Sequence, residues 1–226
     1  MLQVLDVSRF QPAAFCDYQK VKAAGVAGVA VKATEGVDYV DPCFYEHAKK
    51  VRLAGLELNA YHYLRVRARK AQDAELQAEQ FCEAYLKACC TGVPWLDCEL
   101  EFNQQAVESE WLTAIRQFVD VTEFWLGCKP DIYTFPGFWM ARKALCEAQD
   151  LADCRLIIAH YTPDSKPGLP RSNPKMPGPW GEQNWFGWQY AANVGVLGRC
   201  DGIPGLVDRS MVKVDKPEDL RRPACK

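Results

Sequence analysis

Pro94-Trp95-Leu96-Asp97-Cys98-Glu99-Leu100-Glu101-Phe102 alternates with a period of two. Leu96, Cys98 and Leu100 fall on one parity; Asp97, Glu99 and Glu101 fall on the other. Successive side chains of a β-strand point to opposite faces, so residues 94–101 read as a strand with one apolar face and one face of three carboxylates. Like charges on one face repel. Such a row is either the decoration of a solvated edge or the lining of a cavity that uses the charge. The flanking chain has to choose between them.

On the N-terminal side, strands are expected at Gln3–Ser8, Gly28–Thr34 and Glu57–Leu64. Between them the apolar spacing predicts three helices. Pro12–Ala24 carries Phe15, Tyr18 and Val21 inward and stops at Gly25. A second opens on Asp41-Pro42 as N-cap and N1 and runs to about Ala54, before Gly55. A third, Ala68–Cys90, turns Leu76, Phe81, Tyr85 and Leu86 inward. On the C-terminal side, Asn103 is expected to cap a helix running to about Leu126, with Trp111, Ile115, Phe118 and Val119 inward. Strand Asp131–Phe135, helix Pro136–Gln149 and strand Cys154–Tyr161 follow. Then the rhythm changes. Residues 163–182 hold six prolines and three glycines, which exclude a helix. Strands Trp185–Ala191 and Gly205–Val212 complete the pattern. Alternating β and α predicts an α/β fold with a parallel sheet and helices packed outside it. Eight strands are enough to close a barrel.

The totals allow this and exclude much else. A chain of 226 residues, 49% hydrophobic and 25% charged, has the composition of an ordinary globular protein with a sizeable core. A net charge of −2 supplies no field for nucleic acid or a membrane surface. No apolar run approaches the roughly 18 residues of a membrane span. Eleven cysteines form no C-x-x-C, and His47, His62 and His160 are scattered, so no metal site is expected. Cys82, Cys98 and Cys146 sit within apolar patterns and read as reduced, buried thiols. Met1-Leu2-Gln3-Val4-Leu5-Asp6 has no basic segment leading into an apolar core, so a signal peptide is not expected and synthesis in a reducing cytoplasm is.

In barrels of this kind functional groups collect where the strands end. Those ends supply Asp6, Lys32 and Glu35, Tyr61, Asp97 and Glu99, Tyr133, Tyr161, Trp188 and Gln189, and Asp208. An acidic, aromatic rim without phosphate-binding glycines suits a neutral polyol: rings stack on sugar faces and carboxylates accept from hydroxyls. Paired carboxyls are also what glycoside hydrolysis needs, one protonated to donate to the leaving oxygen and one ionised. On a strand the α-carbons of Asp97 and Glu99 stand about 6.6 Å apart. Charges at about 7 Å repel by roughly 2.4 kcal/mol at an effective dielectric of about 20, enough to hold one carboxyl protonated near neutral pH where no cation intervenes. Glu99 is assigned that acid role. Each residue also has a plainer reading. Asp6 suits a turn and Asp208 a loop anchor. Glu35 suits an ion pair with Lys32. Tyr61, Tyr133, Tyr161 and Trp188 suit rim packing, and His62 and His160 read as structural.

Several segments together resemble one family: Asp6-Val7-Ser8, Val31-Lys32-Ala33-Thr34-Glu35-Gly36 with Tyr39 and Asp41, Ala60-Tyr61-His62-Tyr63, Leu96-Asp97-Cys98-Glu99, Ile132-Tyr133-Thr134, Ile158-Ala159-His160-Tyr161, Trp188-Gln189-Tyr190 and Val207-Asp208. In this order they look like glycoside hydrolase family 25, the Chalaropsis-type lysozymes. The resemblance implies an irregular, TIM-like (β/α)5(β)3 barrel over residues 1–212, with 213–226 as a tail. It implies N-acetylmuramidase activity on the β-1,4 bond from N-acetylmuramic acid to N-acetylglucosamine in peptidoglycan. Peptidoglycan glycan strands are the expected partner, and no cofactor and a monomeric state are expected. By position Glu99 resembles the general acid, Asp97 its partner, and Asp6 and Asp208 supporting carboxylates. Tyr61, Tyr133 and Trp188 resemble sugar-contacting residues. Ala30, where a larger aliphatic residue is usual, and His160 depart from the common pattern, and residues 213–226 show no wall-binding repeat.

Two mechanisms stay open at this level. In one the substrate's N-acetyl oxygen attacks the anomeric carbon while Asp97 supports the amide nitrogen; in the other a carboxylate activates water. A catalytically inactive glycan-binding barrel and a chitin-type glycosidase are the competing readings. Both a phage endolysin and an exported effector fit a wall-directed enzyme without a signal peptide.

Overall fold

The computed structural model describes residues 1–66, 73–161, 175–181, 184–191 and 198–221. Most of the proline-rich stretch 163–182, the start of the helix expected at Ala68, and Cys225 lie outside them. Nine strands are present among the described residues: β1 (Leu2–Val7), β2 (Val26–Glu35), β3 (Tyr39–Val40), β4 (Glu57–Tyr63), β5 (Trp95–Asp97), β6 (Asp131–Thr134), β7 (Leu156–Ala159), β8 (Gly187–Ala191) and β9 (Asp208–Val212). Eight close a ring in the order β1-β9-β8-β7-β6-β5-β4-β2, and β1 pairs β2 to seal it. The short β3 folds back antiparallel on β2 as a hairpin arm. The expected α/β barrel is therefore present.

Ring neighbours run parallel from β1 through β8. The exception is β9, antiparallel to both β8 and β1. This strand is the one departure from the expected parallel sheet within the ring. A parallel neighbour needs a crossover, usually a helix, whereas an antiparallel one does not. Among the described residues between β8 and β9 there is no α-helix, and a strand reached without a crossover can run antiparallel.

Helices α1 (Tyr18–Ala23), α2 (Phe44–Leu53), α3 (Asp73–Lys87), α4 (Glu108–Leu126), α5 (Pro136–Trp139) and α6 (Lys143–Glu147) accompany the ring. Several boundaries differ from expectation for local reasons. Pro12–Ala24 is a 3-10 turn at Ala13–Phe15 followed by α1, because Asp17 caps α1 by accepting from the Gln19 and Lys20 amides at 3.1 Å. The break turns Phe15 out to solvent, while Tyr18 and Val21 stay buried. On α3, Phe81 and Tyr85 face inward as expected, but Leu76 and Leu86 are exposed. Ala74, Ala78 and Cys82 take the inner stripe instead. The helix after the acidic strand starts at Glu108, and Asn103 is not its cap. Pro136–Gln149 is divided into α5, α6 and the start of a 3-10 turn.

The apolar core has two parts. The larger lies between the ring and the helices and includes Leu96, Cys98, Phe118, Ile132, Ile158 and Trp188. The smaller fills the barrel interior with Val4, Ala30, Trp95, Ile157, Val212 and Leu220. Leu220 comes from the segment after β9. A 3-10 turn at Pro217–Leu220 delivers it, its carbonyl accepts from the Val93 amide at 3.1 Å, and it is 2% exposed. Next to it Arg221 pairs with Glu57 at 2.7 Å. A Cβ on Gly28 would meet the Leu220 side chain at 3.1 Å, so the wall must be bare there for the plug to seat. Burying such a leucine contributes about 1.5–3 kcal/mol.

No helix among the described residues is long and apolar enough to cross a membrane. All ten described cysteines are free; Cys82 and Cys98 are buried as expected, and Cys146 is half-buried.

Candidate active site

The acidic stretch is a strand for only three residues, and β5 lies in the middle of the ring between β4 and β6. A solvated edge is therefore excluded. Trp95 and Asp97 point into the barrel, while Leu96 and Cys98 pack under the helices. The alternation stops at Cys98, whose amide donates to the Tyr133 carbonyl at 2.9 Å. Leu100, expected on the buried face, is 37% exposed because the chain has already turned away.

That turn is held by Asn103, 2% exposed. Its Nδ2 donates to the Glu99 carbonyl at 3.0 Å and to the Leu64 carbonyl at 2.9 Å, and its Oδ1 accepts from the Val66 amide at 2.8 Å. One side chain thus ties the segment bearing Glu99 to the end of β4. It is therefore not the helix cap that an asparagine ahead of a helix usually marks; Val107 holds that position.

Register assembles the rim. Asp6 on β1 is paired across the sheet with Asp208 on β9. Lys32 stands beside Tyr61, Tyr63 beside Asp97, and Asp97 beside Tyr133. These strand ends open onto a groove of about 810 Å³. Asp6, Asp97, Glu99 and Asp208 line it with Lys32, Glu35, Tyr61 and Tyr133, so most of the expected site residues share one cavity. Its wall also includes Arg9, Phe10, Tyr39, Tyr63, Arg65 and Phe102, which strand-end reasoning missed because they lie in loops, on the β3 arm or past a strand's last polar residue.

Three expected residues sit elsewhere. Trp188 is wholly buried behind the sheet, edge-on to Trp185, with its Nε1 donating to the His160 carbonyl at 2.7 Å. Its expected sugar contact is corrected: no surface of it reaches the groove. Gln189, of opposite parity, is 2% exposed and acts from behind. Its Oε1 accepts from the Tyr133 hydroxyl at 2.9 Å and from the Tyr161 hydroxyl, and its Nε2 donates to Asp6 Oδ2 at 3.0 Å. The two phenols fix the orientation of the amide and so aim its N–H groups at Asp6. Tyr161 is half exposed and borders a neighbouring depression with Phe135 and Met140.

Electrostatics divide the carboxyls. Burial, followed by the charge of Asp208, pushes Asp6 well above the usual aspartate range, against the pull of its Gln189 hydrogen bond. Burial and then Glu99 push Asp97 up likewise. Glu99 is raised to about 7 by burial first, then by Glu101 and Asp208. The sequence reading credited that rise to Asp97 alone; desolvation is the larger cause. Asp97 Oδ1 is buried without a hydrogen-bond partner among the described residues. Glu35 behaves differently. Burial pushes its carboxyl up, but Lys32 at 2.6 Å and Arg65 outweigh that and hold it below the glutamate range. Its expected pairing with Lys32 is present. Gln77 of α3 holds Arg65 in place through its backbone amide at 3.0 Å and carbonyl at 2.8 Å. His62 is buried between Thr34 and Gln77 at 2.7 and 3.0 Å, the structural role expected of it. No group of three or more metal-ligating side chains gathers among the described residues.

The chain is similar to known proteins. The family model described as glycosyl hydrolases family 25 matches residues 5–199. An autolytic lysozyme of Clostridium acetobutylicum is 28% identical over 196 residues, covering 85% of this chain and 50% of that protein. Lysozyme M1 of Streptomyces globisporus is 26% identical over 223 residues, covering 92% of this chain and 67% of that protein. The chain thus spans half the length of the clostridial relative. The crystal structure of a bacterial lysozyme from Streptomyces coelicolor superposes with a TM-score of 0.76 at 24% identity, covering 97% of this chain and 94% of that one. That likeness shows the shared barrel.

Proposed function

The chain belongs to glycosyl hydrolase family 25, and from that premise and the geometry of the groove we propose that it is a muramidase. Its reaction is hydrolysis of the β-1,4 bond between N-acetylmuramic acid and N-acetylglucosamine in bacterial peptidoglycan. The observation that carries this reading is the pair on β5 and its exit: Glu99 with its carboxyl raised to about 7, beside the buried Asp97. A carboxyl with that pKa is substantially protonated at neutral pH and can still give up its proton, which is what a general acid for a glycosidic oxygen requires.

Glu99 protonates the leaving oxygen. Asp97 Oδ1 is buried with no hydrogen-bond partner among the described residues, and the cost of leaving it so favours a ligand that brings a donor. The 2-acetamido N–H of the bound sugar is such a donor, and accepting from it supports attack of the acetamido oxygen on the anomeric carbon. This observation favours the N-acetyl-assisted route. Asp208, paired across the sheet with Asp6, supplies the negative field for the positive charge that develops on the sugar, and Gln189 holds the Asp6 carboxyl in place by donating to it. The substrate is read as the glycan strands of the wall, which suit an open groove lined by carboxylates and aromatic rings.

Digesting peptidoglycan and reading the new reducing ends by mass spectrometry tests the proposal. Muramic acid ends are expected; N-acetylglucosamine ends, or equal turnover of chitin oligomers, would overturn it. An inactive glycan-binding barrel would keep its biological effect in E99Q, whereas a muramidase loses turnover and keeps binding.

A further inference from the structure

The groove is lopsided in charge. Asp6, Asp97, Glu99, Glu101 and Asp208 line it, and two of its cations, Lys32 and Arg65, are both taken up by Glu35. Arg9 is different. It forms no ion pair among the described residues, although it lines the same groove, where Asp38 is exposed. Its guanidinium lies 5.3 Å from the centre of the Phe10 ring and 5.7 Å from that of Tyr39, within cation–π range of both. Phe10 is 75% exposed, so its ring is open to a ligand beside Arg9.

The backbone beneath is fixed. The Arg9 amide donates to Asp41 Oδ2 at 3.1 Å, and Asp41 is buried and also accepts from the Cys43 amide at 2.9 Å. The Ser8 amide donates to Gln11 Oε1 at 3.2 Å, and Gln11 is anchored in turn on the Leu206 carbonyl at 2.9 Å. A guanidinium on a rigid base, flanked by rings, hydrogen-bonded to the Tyr39 hydroxyl and in no ion pair among the described residues, keeps further N–H groups for a planar anion, and its fork matches a carboxylate in two-point geometry.

We propose that Arg9, framed by Phe10 and Tyr39, is a subsite for a carboxylate carried by the substrate. This deepens the muramidase reading and takes the class of ligand from it. A polymer of N-acetylglucosamine has no acid group. The muramic lactyl arm ends in a carboxylate when bare, and when it is amide-linked to a peptide the peptide brings carboxylates of its own. An otherwise acidic groove disfavours either form, and Arg9 offsets that repulsion locally. The subsite distinguishes muramyl glycans from chitin-like ones by charge as well as by shape.

The test is a binding measurement on E99Q, with and without R9Q, so that turnover does not intervene. Calorimetry would use three soluble tetrasaccharides of alternating N-acetylglucosamine and N-acetylmuramic acid: peptide-bearing, peptide-free with the lactyl carboxylate exposed, and peptide-free with that carboxylate reduced to the alcohol. R9Q is expected to weaken an acid-bearing ligand about five- to tenfold, the range for one partly exposed charge-assisted contact, and to leave the reduced ligand unchanged. R9K should restore part of the loss. Weakening of the peptide-free acid identifies the lactyl group as the ligand, and weakening of the peptide-bearing form alone identifies the peptide. Equal weakening of the reduced ligand, or none with either acid-bearing ligand, overturns the proposal. Failure of the native enzyme to release muramic ends, with the R9Q effect intact, would sink the muramidase reading and leave the carboxylate subsite standing.

Discussion

Replacing Glu99 by Gln should make the protein inactive and, above neutral pH, more stable. The Glu99 carboxyl titrates near 7 in the fold, against 4.5 for an unperturbed glutamate. The ionised form is therefore the one the fold disfavours, by about 3 kcal/mol at roughly 1.4 kcal/mol per tenfold. The pH dependence follows by linkage. Below 4.5 the group is protonated in both states and contributes no penalty. As pH rises from 4.5 to 7, the unfolded chain ionises first and the folded state loses ground. Above about 7 the full penalty is present. The neutral amide of E99Q keeps the side chain's shape and never acquires the charge. Asp97 gains as well, since Glu99 is the second cause of its own elevation. The stability of E99Q relative to the native protein should thus be near zero at pH 4.5, climb through pH 5–7 and level off near 3 kcal/mol at pH 8. For a chain of this length that is about 6–12 °C in melting temperature. Urea unfolding across that pH range is the assay, with turnover of wall fragments followed in parallel. Native turnover should fall as pH rises through about 7, because the acid must carry its proton. A stability difference that is absent at pH 8, or the same at pH 4.5 and 8, would refute the assignment of Glu99 as a carboxyl held protonated by burial.

Two further outcomes separate support from chemistry. Asn103→Ala removes three hydrogen bonds that pin the Glu99 segment to the end of β4; unfolding free energy should drop by about 2–4 kcal/mol and turnover more than tenfold, with glycan affinity changed less than turnover. Trp188→Ala should cost about 3–5 kcal/mol in urea unfolding, as for a fully buried tryptophan, while the folded fraction binds glycan with native affinity; a selective loss of affinity would restore a sugar-contacting role.

Much of the site was legible in one dimension because β-structure converts sequence parity into direction. Asp97 and Glu99 share a parity with Trp95, and that parity does face the barrel interior. The helical boundaries were less legible. Asn103 has the composition of a cap but serves a loop, because its partners Leu64 and Val66 are distant in sequence and become neighbours only when β4 and β5 pair. Glu35 and Lys32, three residues apart, were readable as a pair, whereas Arg65 arrives from another loop to complete the clamp.

The contrast is clearest on β8 and β9. Alternation dictates that Trp188 and Gln189 face opposite ways, but every residue of Gly187–Ala191 is buried, so no polar face marks which one looks inward. Packing against Trp185 and the helix layer makes that choice, sending Trp188 out of the groove and Gln189 toward Asp6. Asp208 is the first residue of its strand, where a parallel barrel would carry it to the opposite rim. The antiparallel run of β9 returns it beside Asp6. Local pattern had sufficed for the acidic strand, the barrel class and the family, because each is written in residues close along the chain. Strand direction, the occupied face of a fully buried strand and the partners of a clamped charge depend on contacts between distant residues, and these exist once the ring has closed.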